Sequence, residues 1–112
     1  MRKIKVVMCP ADRPPYITSI SDSLANMQRI VGGYIETVAV GDNIFIVCDE
    51  EGRLLHKQDN KSLAGFVGDC FIARSDGEDF CDLGEEEATR LLKTAKSKWG
   101  NPASFATVEI PF

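Results

Sequence analysis

An α+β fold, a mostly antiparallel sheet with two amphipathic helices packed on it, is what this 112-residue sequence predicts. Three observations carry that prediction. Leu24, Met27, Ile30 and Val31 recur at steps of three and four, as do Ala88, Leu91, Leu92, Ala95 and Trp99, and each set is a stripe that one side of a helix can bury. Several β-rich runs are separated by short polar turns. Two of these runs, Tyr34–Val40 and Ile44–Cys48, flank Gly41, Asp42 and Asn43 and read as an antiparallel hairpin. Stripes and strands of this kind bury one another by layering, helices against sheet.

In chain order, Lys3–Met8 reads as a strand that pairs with the residues after Pro15. Asp12–Pro15 is a loop, and Tyr16–Ile20 is a second strand near a sheet edge. Ser21 or Asp22 caps the first helix, and Gly32 and Gly33 end it, since glycine takes the left-handed conformation of a helix terminus without steric penalty. Tyr34–Val40 has no purely polar face, which predicts an inner position in the sheet. IFIVC at Ile44–Cys48 is apolar throughout, as expected of a strand covered on both faces. Asp49–Gly52 reads as a polar turn, Arg53–Leu55 as a short extension and Lys57–Lys61 as a loop leading to Leu63. Phe66–Arg74 reads as a strand, with Gly65 and Gly68 permitting a bend or bulge. After a polar turn at Ser75–Asp79, Phe80–Leu83 returns toward the core.

The second helix is the best signalled. Gly84 takes its cap position, Glu85, Glu86 and Glu87 complement the positive end of its dipole, and Lys93, Lys96 and Lys98 complement the other end. Gly100, Asn101 and Pro102 stop it, and Phe105–Ile110 alternates as a last strand before Pro111. The predicted core is Val6, Leu24, Met27, Val31, Ile35, Val38, Ile44, Ile46, Cys48, Phe71, Phe80, Leu91, Leu92 and Trp99.

The length suits one globular domain over residues 1–112, with 44% hydrophobic and 27% charged residues. A net charge of −4 argues against general nucleic-acid binding, which needs clustered lysine and arginine. The acidity is also too evenly interrupted by Lys and Arg to imitate the charge of DNA. Cys9, Cys48, Cys70 and Cys81 lack the spacing of a metal site, and Cys48 and Cys70 sit in apolar runs as small buried hydrophobes. Arg2, Lys3 and Lys5 precede an apolar run, Val6–Cys9, that Pro10 stops before it reaches signal-peptide length. No run approaches the ~20 apolar residues that span a bilayer. These features set the expectation of a cytoplasmic location, no membrane association and free thiols.

No catalytic constellation is legible. The turn carrying Asp76, Glu78, Asp79 and Asp82 gathers oxygen ligands without the ordered spacing of a calcium loop, so solvated carboxylates are the plainer reading. Asp49, Glu50 and Glu51 read likewise as a hairpin tip. His56, the one histidine, pairs with Cys48 or Cys81 for nucleophilic chemistry only if the fold brings them within hydrogen-bond reach. Gly32 and Gly33 follow a helix and precede a strand, the reverse of a phosphate loop. The polar set Arg53, His56, Asn60 and Lys61 surrounds one connection, and loops on rigid scaffolds often carry recognition, although solvated polarity is the plainer reading. With Arg74 these residues are the candidate ligand or partner contacts. Cys81 is flanked by Asp79 and Asp82, which oppose thiolate formation. The expectation is no enzyme, no metal and no cofactor.

The runs LANMQRIVGGYIETV, IFIVCDEEGRLL and FIARSDGEDFCDL, which cover most of Ile20–Leu92, resemble the domain-of-unknown-function family numbered 3846. VGGYIE at Val31–Glu36 is the most specific part of that resemblance. Where similar proteins have a Leu-Pro-x-Asn-Arg-like segment, this chain has His56, Lys57, Gln58, Asp59, Asn60 and Lys61, without the proline and with lysine in place of arginine. A role resting on a bidentate guanidinium there is not carried over. The resemblance implies small proteins of bacteriophages, plasmids and other bacterial mobile elements, and no activity. The leading expectation is therefore a non-enzymatic binding or adaptor module acting on a host or element protein. A sponge for a nucleotide-like anionic signal, built on Arg53, His56, Asn60, Lys61 and Arg74, is the alternative. Self-association into a homodimer through an exposed strand is a third expectation.

Overall fold

The first two β-rich runs pair edge to edge. In the computed structural model, which describes residues 2–99, Lys3–Cys9 forms β1 and Tyr16–Ser21 forms β2, antiparallel, with Ile4 opposite Ile20. Ile35–Gly41 forms β3, Ile44–Asp49 β4, Cys70–Ser75 β5 and Phe80–Cys81 β6. The sheet order is β2-β1-β5-β4-β3, with β6 added to β5, and every pairing is antiparallel. Two helices, α1 (Leu24–Val31) and α2 (Glu85–Lys98), complete an α+β fold.

The helices cover opposite faces. Met27 and Val31 of α1 pack with Ile4, Val6, Met8, Val47, Phe71 and Ala73. Ala88, Leu91 and Ala95 of α2 pack with Val7, Cys9, Ile44, Ile46 and Ile72. Neighbouring strand residues point to opposite sides, so these two sets are the two faces of one sheet. Strands β1, β5 and β4 are buried on both, which accounts for the continuous apolar run Ile44–Cys48.

Several expectations are corrected. β3 lies at the edge, not inside. Its apolar residues Ile35, Val38 and Val40 are half-buried, and with layers on both sides of the sheet an edge strand receives partial cover on each face, so a mixed pattern requires no second neighbour. Ser23 caps α1 in place of Ser21 or Asp22, accepting from the Asn26 N–H at 3.2 Å. Asp22 is otherwise engaged, its N–H on the Arg2 carbonyl and its carboxylate 3.2 Å from the Arg2 guanidinium. Leu24 is exposed in the first turn of α1, beyond the part that lies on the sheet, and only Met27 and Val31 of that helix are fully buried. Trp99 also leaves the core: α2 stops at Lys98 and the Trp99 backbone is extended, which turns the ring off the buried stripe.

The expected strand Phe66–Arg74 begins only at Cys70. Gly65 and Gly68 adopt φ of +87° and +73°, which break the extended run and leave a single bridge between Asp59 and Val67. Arg53–Leu55 adds no strand and belongs to a turn. Gly84 caps α2 as expected, with Glu85–Glu87 in the first turn and Lys96 and Lys98 in the last. The expected helix stop at Gly100–Pro102 and the strand at Phe105–Ile110 lie outside the described residues. Among the described residues, no helix is long and apolar enough to cross a membrane.

Candidate functional site

The connection between β4 and β5, residues 50–69, gathers most of the polar candidates at one end of the sheet. It starts from Asp49, expected in an open polar turn but 6% exposed. The Asp49 carboxylate accepts from the Glu51 N–H at 2.9 Å and stands 2.5 Å from Lys57 Nζ. Burial opposes its ionisation, but the Lys57 ammonium and the Glu51 N–H outweigh that and hold the carboxyl below its ordinary range. Lys57 Nζ also donates to the Val31 carbonyl at 2.9 Å, at the negative end of the α1 dipole.

This clamp explains the double glycine. Gly32 closes α1 with φ of +78°, its N–H on the Gln28 carbonyl at 2.8 Å. A Cβ on Gly33 would lie 2.6 Å from Asp49 Oδ1, so the carboxylate occupies the space a side chain would need. The most specific stretch of the sequence is thus the seat of the Asp49–Lys57 pair.

Asn60 is the second organiser. Only 1% exposed, it donates from Nδ2 to the Cys9 carbonyl at 2.8 Å and the Gly68 carbonyl at 2.9 Å. Its Oδ1 accepts from the N–H groups of Ser62 at 2.9 Å and Leu63 at 3.0 Å. All of its amide hydrogen-bonding capacity is spent on backbone, which ties both arms of the connection to the end of β1. Leu63 and Ala64 then plug the core beneath.

A cavity of about 250 Å³ lies between this connection and the β3–β4 pair. Glu36, Val38, Cys48, Arg53, Phe66 and Val67 are among its lining residues. The Arg53 guanidinium donates to the Gly65 carbonyl across it.

The family described as Domain of unknown function (DUF3846) matches residues 4–96. The chain belongs to that family. No curated protein and no solved structure matches it.

Within this DUF3846 domain the five candidate contacts do not converge. Arg53 lines the cavity, whereas Asn60 is internal and presents nothing to a ligand. Lys61 pairs with Asp12 at 2.5 Å. His56 is exposed, with φ of +55°, and no hydrogen bond joins it to Cys48 or Cys81 among the described residues. Arg74 is at the opposite end of β5 from Cys70, about 13 Å along the strand at ~3.3 Å per residue. There its guanidinium grips Glu87 of α2 through two bonds of 2.9 and 2.7 Å, which hold Glu87 below the usual carboxylate range.

Two carboxylates of the acidic turn are spent on backbone. Asp76 Oδ1 accepts from the N–H groups of Asp79 at 2.9 Å and Glu78 at 3.0 Å, which lowers its pKa, and Asp82 Oδ1 accepts from the Lys5 N–H at 2.7 Å. Among the described residues, no three His, Cys, Asp or Glu side chains gather as metal ligands. Sequence reasoning missed Asp49 and Lys57 as a pair, because eight positions and a turn separate them and only the α1 terminus brings them together.

The surface at this end is apolar where the interior is polar. Leu54 and Leu55 are 71% and 58% exposed on the turn over 50–56, and Tyr34 is 65% exposed. The Glu50 N–H donates to the Tyr34 carbonyl at 2.9 Å, so the turn starts directly beside Tyr34 and β3, the edge strand among the described residues.

Proposed function

We propose that this domain is a non-enzymatic binding or adaptor module of a bacteriophage or other bacterial mobile element, acting in the cytoplasm on a host or element protein. Its contact surface is the tip of the 50–56 turn together with Tyr34 and the β3 edge. The observation that supports this most is the exposure of Tyr34, Leu54 and Leu55 at one end of the sheet. Covering each such side chain is worth about 1.5–3 kcal/mol, and apolar groups collected on a surface mark interaction sites. An edge strand adds unpaired backbone donors and acceptors that a partner strand can complete. The clamp beneath supports the reading too, since it fixes the turn before any partner arrives.

The alternative, a sponge for a nucleotide-like anion, needs donors that meet. Arg53, Asn60, Lys61 and Arg74 are each engaged with a different neighbour, and no observation favours that reading over the first.

Affinity capture from a bacterial host, with the full chain and its Leu54→Glu/Leu55→Glu variant, tests the proposal. Both leucines are exposed, so the variant should melt within about 2–4 °C of the parent, the range of ordinary surface substitutions. The expected result is a reproducible partner whose recovery falls at least about tenfold in the variant, a loss of ~1.4 kcal/mol. Capture of no reproducible partner, together with substrate turnover by the purified chain, would refute it. Light scattering at several concentrations separates a foreign partner from a second copy of this chain.

A further inference from the structure

Three of the four thiols lie in one row across the sheet. The β1–β5 register pairs Cys9 with Cys70. On the other side of β5, Val47 of β4 stands opposite Phe71, and the next position along both strands sets Cys48 opposite Cys70. All three are buried in the cluster under α2. Residues directly opposite on antiparallel strands have Cα atoms about 4.5–5.5 Å apart, inside the ~4.4–6.8 Å that a disulfide spans. Cys70 is therefore within bridging reach of two neighbours.

Access separates the two. Cys9 is fully buried, and burial pushes its thiol up to about 12. Cys48 lines the cavity of about 250 Å³, beside Glu36 and Arg53. A water molecule's share of liquid volume is ~30 Å³, so the cavity has room for a small oxidant beside the sulfur. The Cys48 thiol donates to the Glu36 carbonyl at 3.7 Å and the Cys70 thiol to the Gly68 carbonyl at 3.5 Å, and the adjoining Cys70 lowers the Cys48 pKa against burial and against the Glu36 and Asp49 carboxylates. Cys70, buried beside Cys48, is pushed up.

We propose that Cys48 and Cys70 form an oxidation site for small hydroperoxides, with Cys48 the sulfur that attacks and Cys70 the one that resolves. Cys48 Sγ attacks one peroxide oxygen and the O–O bond breaks. The thiol proton ends on the departing oxygen, as water from hydrogen peroxide or an alcohol from an organic hydroperoxide, and Cys48, oxidised by two electrons, becomes a sulfenic acid. Cys70 Sγ then attacks Cys48 Sγ, the S–O bond breaks, and the hydroxide leaves as water with the Cys70 proton. The product bridge joins β4 to β5 and closes the 50–69 connection at its base. This inference stands apart from the binding role and does not require it.

The test is to treat the full chain with hydrogen peroxide, quench by alkylation in acid, and map the cysteine peptides by mass spectrometry. The expected result is loss of two of the four thiols, appearance of a Cys48–Cys70 linked peptide and its reversal by dithiothreitol. In Cys70→Ser, a sulfenic acid should persist at Cys48 and be captured by a cyclic dione probe, whereas Cys48→Ser should leave Cys70 unlabelled. A Cys9–Cys70 bridge in the parent chain, first oxidation at the half-exposed Cys81, or four intact thiols would overturn the proposal. The parent peptide map decides by itself if a serine variant fails to fold.

Discussion

Asn60→Ala is expected to destabilise the domain by about 3–5 kcal/mol, because it strands the Cys9 and Gly68 carbonyls and the Ser62 and Leu63 N–H groups in a buried setting. For a domain of this size, ~4 °C or more of melting temperature accompanies each kcal/mol, so a fall of about 12 °C or more should be seen. Asn60→Asp separates the two halves of the effect. It keeps an acceptor for Ser62 and Leu63 but sets a carboxylate against two carbonyls, so its loss should approach that of the alanine variant at neutral pH. Burial and the facing carbonyls raise the pKa of the new carboxyl. Protonation as pH falls through that raised value restores one donor, and the deficit should shrink there. Urea melts at pH 7 and pH 4.5 measure both.

Lys57→Ala is expected to have the next largest effect. It leaves the Asp49 carboxylate buried without its cation and the end of α1 without a donor. A fully buried pair broken on one side costs about 3–5 kcal/mol, and because the Lys57 side chain keeps 24% exposure the loss here should be about 2–3 kcal/mol. Its pH dependence has a definite sign. In the parent, the Asp49 pKa lies below its unfolded value, so the clamp's stabilisation is complete above that unfolded value and is lost as pH falls through the lower folded one. In the variant only the Glu51 N–H is left to oppose burial, so the Asp49 pKa rises above its value in the parent and the variant recovers as the carboxyl protonates. The gap in stability between the two proteins should therefore be largest near pH 7 and narrow by pH 4.

The strands and helices were readable because their signals are local. IFIVC announced a strand covered on both faces, and Gly84 followed by three glutamates announced α2, each within a few neighbouring residues. β3 reads as an inner strand because its pattern of partial cover is the same for an edge strand between two layers as for an inner strand of a thinner sheet. Leu24 and Trp99 keep helical spacing yet lie at the helix ends, where periodicity no longer says whether a partner is opposite.

The site was less readable, since its contacts join distant positions. Asn60 reads as a polar loop contact and is internal. Only the pairing of β1 with β5 brings the Cys9 and Gly68 carbonyls to it. Lys57 meets Asp49 through the end of α1, and the thiol row exists only once the order β1-β5-β4 is known. The double glycine was the one local trace of this construction. It read as a helix stop and close packing, and the carboxylate packed against Gly33 supplies the reason.

The 50–69 connection should be folded as firmly as the sheet and hold its apolar tip ready for a partner. Amide hydrogen exchange of the full chain measures that directly. The N–H groups of Ser62 and Leu63, bonded to Asn60, and of Gly68, bonded to Gln58, should exchange as slowly as those of β4 and β5, opening only when the whole domain unfolds. Exchange of these amides as fast as that of Glu78 and Asp79 in the exposed acidic turn would contradict it.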